Sequence, residues 1–195
     1  MSKKVVIIDY GTGNIQSIQF ALQRLGCQSV LSSNKAEIEN ADKVIFPGVG
    51  HAESAMLKLK ETKLDNLIGQ LKQPVLGICL GMQLMCKSSE EGSTKGLSIY
   101  DVDIKHFKIA QKVPHMGWNL IKNLKSELFE GLPKETYMYF VHSYYAPINS
   151  ASIADSNYSF NFCAALKKDN FYGVQFHPEK SGVWGERILS NFLKL

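Results

Sequence analysis

The sequence predicts an α/β fold, with a mixed but mainly parallel central sheet flanked by helices, and three observations predict it. Short, uninterrupted β-branched runs alternate with helix-period segments through the first half of the 195 residues, the pattern of a parallel sheet covered on both faces. Glycine-rich turns at 11–13, 47–50 and 77–81 stand where each strand gives way to a helix. The second half carries shorter strand candidates in close succession, so that antiparallel pairing is expected there.

Taken in order, Val5 to Ile8 is an unbroken β-branched run, and Asp9-Tyr10-Gly11-Thr12-Gly13-Asn14 turns the chain into a helix. In that helix Ile15, Ile18, Ala21, Leu22 and Leu25 recur at helical spacing. Gly26 stands where a helix C-cap is expected. Strands follow at 28–31 and 44–46, the latter stopped by Pro47-Gly48-Val49-Gly50. Ala55, Met56 and Leu59 mark one helix; Leu64, Leu67, Ile68 and Leu71 mark another. Residues 74–78 read as a buried strand, and 80–86 return to helical spacing. Beyond them the strand candidates are 99–107, 118–121, 137–141, 159–166 and 171–176. Trp184, Ile188, Leu189 and Phe192 share one stripe of a closing amphipathic helix. No repeat or linker interrupts the pattern, so one domain over residues 1–195 is expected.

Composition narrows the function. With 45% hydrophobic residues the chain can bury a substantial core, and 22 basic against 18 acidic residues leave a net charge of only +4, scattered rather than clustered. Nucleic acid is not the implied partner. Cys27, Cys79, Cys86 and Cys163 form no CxxC pair, which fits reduced thiols and a cytoplasmic setting. The apolar run at the start is too short for a signal-peptide core, and no window reaches membrane-spanning length. Gly11-Thr12-Gly13-Asn14 invites a dinucleotide reading, but Gln16 occupies the third glycine position. Neither the His nor the Cys spacing matches a zinc site, and no metal or cofactor is expected.

The chemistry concentrates in two segments. Gly77-Ile78-Cys79-Leu80-Gly81 matches the nucleophile-elbow pattern with Cys in the place of Ser. The turn is so sharp that side chains two residues to either side would collide. The helix start behind it offers N–H groups that favour a thiolate, and the N–H of Leu80 is placed to hold an oxyanion. The plainer alternative is a structural Cys packed under a helix. Phe171 to Glu179 then reads as a strand ending in His177-Pro178-Glu179. Pro178 holds His177 extended, and residues two apart in an extended segment point the same way. His177 and Glu179 can thereby serve as a base and its orienting carboxylate; taken singly, each has the alternative of a capped strand-end histidine or a solvated loop charge.

Gly-Ile-Cys-Leu-Gly-Met-Gln at 77–83, Pro-Gly-Val-Gly at 47–50 and Gln-Phe-His-Pro-Glu-Lys at 175–180 resemble the class I, or triad, glutamine amidotransferases. More narrowly, Asp9-Tyr10-Gly11 with Gly13-Asn14, Pro-Gly-Val-Gly-His at 47–51, Pro-His-Met-Gly-Trp-Asn at 114–119 and Tyr-Phe-Val-His-Ser-Tyr at 139–144 resemble the glutaminase subunits (HisH) of imidazole glycerol phosphate synthase. The resemblance covers essentially the whole chain and implies the flavodoxin-like fold of that class.

It also implies a reaction. Cys79 would attack the side-chain amide of L-glutamine, His177 would pass a proton to the leaving ammonia, and Glu179 would orient His177. The oxyanion hole would join Leu80 N–H to a backbone N–H of the loop holding Val49 and Gly50. Gly48, Gln83, His142, Ser143 and Tyr144 would contact glutamine, although Gln83 can equally be a helix-surface residue and 142–144 a polar loop. His51 and His115 receive no role, and His106 is expected to face solvent. Ammonia released into water is lost, and one domain leaves no room for a synthase, so a second protein is implied. The resemblance gives it as a (β/α)8-barrel cyclase subunit, HisF, in a heterodimer that makes imidazole glycerol phosphate in histidine biosynthesis. Trp118, Asn119, Tyr139 and Lys180 would lie on the docking face, with core packing as the alternative for Trp118. The competing readings are the same glutaminase serving a paralogous amidating enzyme, a catalytically silent activating subunit, and a free cysteine hydrolase that needs no partner.

Overall fold

The computed structural model describes residues 4–195. In chain order it contains β1 (Val5–Ile8), α1 (Ile15–Arg24), β2 (Ser29–Ser32), α2 (Lys35–Glu39), β3 (Lys43–Phe46), α3 (Ala52–Glu61), α4 (Leu64–Ile68), β4 (Val75–Ile78) and α5 (Leu80–Leu84). There follow β5 (Cys86–Ser89), β6 (Thr94–Lys95), β7 (Tyr100–His106), β8 (His115–Lys122), β9 (Thr136–His142), β10 (Tyr144–Tyr145), β11 (Ser152–Tyr158), β12 (Phe160–Lys168), β13 (Phe171–Val174) and α6 (Gly182–Lys194).

One nine-stranded sheet runs in the order β2-β1-β3-β4-β13-β12-β11-β8-β9. Pairing is parallel from β2 to β13 and antiparallel from there to β9. The parallel strands β1, β3, β4 and β13 are buried at every residue, which is why they read as continuous apolar runs. Their alternate side chains feed two cores. Val5 and Ile7 pack with Ile18 and Leu22 of α1 and with Ile188, Leu189 and Phe192 of α6. Val6 and Ile8 pack with Met56 and Leu59 of α3 and Leu64 and Ile68 of α4. A second, smaller sheet has the order β10-β7-β5-β6.

The expected elements recur with shifted ends, and several were not anticipated. Helix α2 presents only Ile38 to the core and begins at Asn34, whose side chain accepts the Glu37 N–H. Strands β5, β6, β10 and β11 are short or polar and exist through their partners. The helical reading of 80–86 is too long: α5 stops at Leu84 and the chain enters β5 at Cys86.

The parallel register places the candidate site. Val174 of β13 lies beside Ile78 of β4, and the Cys79 N–H donates to the Val174 carbonyl at 2.8 Å. Residues just beyond these two strand ends are therefore neighbours, although about a hundred positions separate them in sequence. Openings at the carboxyl ends of parallel strands are the usual ligand sites of such sheets.

Candidate active site

Cys79 sits between β4 and α5 with φ 53° and ψ −111°, a left-handed conformation costly for a non-glycine residue. Two glycines make it possible. A Cβ on Gly81 would collide with the Phe46 carbonyl of β3, and one on Gly77 would meet the Met85 side chain and the Met82 backbone. The strand and helix thus close on each other around the cysteine. Its sulfur has contacts with the Val141 carbonyl at 3.9 Å and Gln175 Nε2 at 3.8 Å.

His177 is extended, as Pro178 requires, but the route to Glu179 differs from the expected continuous extended segment. Residues Pro178–Lys180 form a 3-10 turn starting at His177, and the turn brings the carboxylate back over the imidazole. Nδ1–H of His177 donates to Glu179 Oε1 at 2.8 Å with both side chains buried. Ser181 locks the turn: its hydroxyl donates to the His177 carbonyl at 2.6 Å and accepts the Tyr139 N–H at 3.0 Å. His177 N–H donates to the Tyr139 carbonyl at 2.9 Å, which ties the segment to β9. Nε2 is left buried without a formed hydrogen bond. Burial opposes a charge on this ring, but the Cys79 sulfur and then the Glu179 carboxylate outweigh it and raise the imidazolium pKa to about 10.

Cys79 and His177 share a cavity of about 270 Å³ with Val49, Gly50, Leu80, Gln83, His142, Ser143, Tyr144 and Lys180. Of the expected contacts, Gly48 does not line this cavity. It is wedged beneath it, where a Cβ would stand 2.8 Å from the Gly81 nitrogen and the Tyr10 hydroxyl. Gly50 has φ +96°, and its neighbour Val49 is partly exposed at the rim. As the first residue of α5, Leu80 has an N–H with no acceptor within the helix.

Other expected residues are committed to the protein. Gln83 is buried rather than on a helix surface, and its Nε2 donates to the Tyr144 carbonyl at 3.0 Å and to Gln175 Oε1 at 2.8 Å. Only its carbonyl oxygen remains to meet a ligand. A carbonyl can only accept, so the 2.7 Å contact between His142 Nδ1 and the Tyr144 carbonyl places the proton on Nδ1. His142 Nε2 then accepts from His115 Nδ1–H at 2.9 Å, and His115 Nε2 accepts from Asn119 Nδ2 at 3.2 Å. Burial lowers the His115 pKa to about 4, and burial with the neighbouring histidines lowers that of His142 to about 3, so both rings are neutral. His115, left without a role by sequence, is the middle of a hydrogen-bonded wall.

Trp118 is 55% exposed, which excludes the core alternative. It meets Tyr139 edge-on at 6.1 Å between ring centroids, and Lys180 Nζ lies 5.9 Å from the Tyr139 ring. Asn119 shares the neighbourhood, but its amide is spent on His115 and the Asn157 carbonyl. His106 is partly buried against Tyr144, with ring centroids 5.0 Å apart, rather than facing solvent.

Sequence reasoning missed Glu91, Pro114 and Val141 in the cavity wall, and Gln175 beneath it. Glu91 follows β5 in an irregular turn and carries no local signal. Gln175 had one, since it lies two residues before His177 on an extended segment.

The family profile "Glutamine amidotransferase class-I" matches residues 6–195. A Bacteroides fragilis protein described as imidazole glycerol phosphate synthase subunit HisH is 57% identical over 98% of this chain and 100% of its own length. A Yersinia pseudotuberculosis protein of the same description is 48% identical over 98% of this chain and 99% of its own. Among solved structures, PurLQS of Thermotoga maritima superposes with TM-score 0.77 at 15% identity, covering 100% of this chain and 99% of that one. A glutamine amidotransferase superposes at 0.76 with 16% identity, covering 97% of each chain. Among the described residues no helix is long and apolar enough to cross a membrane. The chain belongs to the class-I glutamine amidotransferase family.

Proposed function

We propose that the chain hydrolyses L-glutamine to glutamate and ammonia with Cys79 as nucleophile, His177 as acid–base and Glu179 as its orienting carboxylate. One observation carries the reading: a strained cysteine and a carboxylate-held histidine meet in one cavity at the ends of adjacent parallel strands. The Cys79 sulfur adds to the side-chain carbonyl carbon of glutamine, and the imidazolium gives its proton to nitrogen as the C–N bond breaks. Water, deprotonated by the imidazole, then attacks the thioester, and the C–S bond breaks to release glutamate. In both halves Leu80 N–H and a backbone N–H from the Val49-Gly50 segment receive the oxyanion; losing one such donor typically costs ~10²–10³ in rate. Glu91, the one carboxylate of the cavity wall among the described residues, suits the α-ammonium group, and the Gln83 carbonyl oxygen can share it. The backbone of 142–144 suits the α-carboxylate.

The ammonia is passed to a partner, a (β/α)8-barrel cyclase subunit forming a heterodimer with this chain and making imidazole glycerol phosphate. The similarity to relatives described as imidazole glycerol phosphate synthase subunit HisH supports this customer over a paralogous amidating enzyme. The exposed Trp118, with Tyr139 and the cavity residue Lys180, supplies aromatic and cationic anchors beside the site. The experiment is a glutamate assay of the chain alone, with the cyclase, and with cyclase plus its ligand. Stimulation by the liganded cyclase, and its abolition by Cys79→Ala, are expected. Glutamate formation that survives Cys79→Ala overturns the triad, and full activity in isolation overturns the partner dependence.

A further inference from the structure

We propose that Gln175 is a positioning residue for the Cys79 nucleophile: its carboxamide N–H, clamped by Gln83, holds the sulfur as a thiolate. This rests on the reading of Cys79 as nucleophile and adds a residue to it. Gln175 is fully buried at 0% exposure, directly after β13, with its backbone N–H donated to the Ala164 carbonyl at 2.9 Å. Its side chain touches Gln83 at 2.8 Å with one atom and the Cys79 sulfur at 3.8 Å with the other.

A main-chain carbonyl decides which atom is which. Gln83 meets the Tyr144 carbonyl at 3.0 Å, and a carbonyl only accepts, so that atom of Gln83 is the nitrogen. Its second contact must then be an acceptor, the Gln175 oxygen, which turns the Gln175 nitrogen toward the sulfur. Flipping either amide sets oxygen against oxygen or nitrogen against nitrogen. The orientation is therefore imposed from the cavity wall through Gln83 to the nucleophile.

The sulfur's other contact, a backbone carbonyl, has the opposite preference. The Val141 carbonyl at 3.9 Å can accept from a thiol but only repels a thiolate. Gln175 is the neutral donor that favours the anion. Unlike the imidazolium, it keeps its hydrogens when His177 protonates the leaving ammonia. It therefore holds the sulfur in place both at attack and when the thioester releases a thiolate.

The test compares the full chain with Gln175→Leu, which removes the donor, and Gln175→Glu, which keeps the acceptor for Gln83 but sets a negative oxygen against the sulfur. Iodoacetamide alkylation of Cys79 is followed across pH, with the modified cysteine identified by peptide mass spectrometry. At pH 7 the rate is expected to fall about tenfold in Gln175→Leu and further in Gln175→Glu. The kcat for glutamine should fall in parallel, with KM held within about twofold. A purely structural role predicts the reverse ranking, because Gln175→Glu leaves Gln83 satisfied and Gln175→Leu does not. Wild-type alkylation profiles in folded Gln175→Leu, or a Gln175→Glu as reactive as wild type, overturn the proposal. If circular dichroism shows Gln175→Leu unfolded, Gln175→Glu decides alone. Should the wild type fail to hydrolyse glutamine, the glutaminase reading falls, while alkylation still decides what Gln175 does to the sulfur.

Discussion

The charge state of His177 is settled by competition between burial, which favours the neutral ring, and two neighbours that favour the cation. The neighbours win, the Cys79 sulfur first and Glu179 second, and the pKa rises to about 10. In the unfolded chain the same ring releases its proton near 6.5. A pKa raised on folding contributes stability that is fully present below the unfolded value and lost as pH climbs through the folded one. The contribution of His177 is therefore whole below pH 6.5 and gone above about pH 10. Glu179→Gln keeps the shape but removes one of the two causes, so its melting temperature should fall less between pH 6.5 and 10 than that of wild type. Its glutaminase rate should also drop, by ~10²-fold, the lower end of what acid–base catalysis contributes. Parallel melting curves for the two proteins across that range would show that Glu179 does not hold the charge.

At the scale of elements, the pairing of β8 with β9 sets His115 directly opposite His142 and fixes both rings as neutral links between Asn119 and the Tyr144 carbonyl. Here the sign is opposite to that of His177. Both folded pKa values, about 4 and about 3, lie below the unfolded 6.5, so the unfolded chain takes up protons first as pH falls. The stability these rings contribute is present above pH 6.5 and erodes below it, by roughly 2–4 kcal/mol by pH 5. The acidic groups with lowered pKa values, Glu127, Glu90 and Asp103, lose their contributions only at lower pH, which leaves the window from 6.5 to 5 to the histidines. Urea unfolding at the two pH values should show this loss, and His115→Gln, which can still accept from Asn119 and donate to His142, should roughly halve it. The register behind this pair was beyond the sequence, where His115 received no role and His142 was read only as a glutamine contact. The same limit hid β11, whose Ser152, Asp155, Ser156 and Asn157 are polar and held by β12 and β8. By contrast β1, β3, β4 and β13 were legible because burial on both faces leaves an unbroken apolar string.

Across the whole molecule, what was legible in the site is what local backbone chemistry dictates: the glycines around Cys79, and the proline between His177 and Glu179. What was not legible depends on contacts between distant segments, as Glu91 reaches the cavity from the turn after β5 and Gln175 is oriented by a carbonyl on β10. The proposed docking face belongs to the second kind. Trp118 and Tyr139 are register partners on β8 and β9, the last two strands of the large sheet; the Trp118 ring is exposed and the Tyr139 ring half-buried. Tyr139 also links that face to the chemistry, since its carbonyl accepts the His177 N–H and its ring lies under Lys180 of the cavity wall. An exposed tryptophan contributes little to its own fold, and Trp118→Ala should change the unfolding free energy by no more than about 0.5 kcal/mol. As an anchor in a complex it should matter far more. Truncating a buried interfacial tryptophan commonly costs about 2 kcal/mol or more, which is a loss of roughly thirtyfold in affinity. Titration calorimetry of wild type and Trp118→Ala against the cyclase subunit, with glutamate formation measured at saturating cyclase, separates docking from chemistry. Weakened binding with activity recovered at saturation places Trp118 in the interface, whereas unchanged binding would move the docking face elsewhere on the molecule.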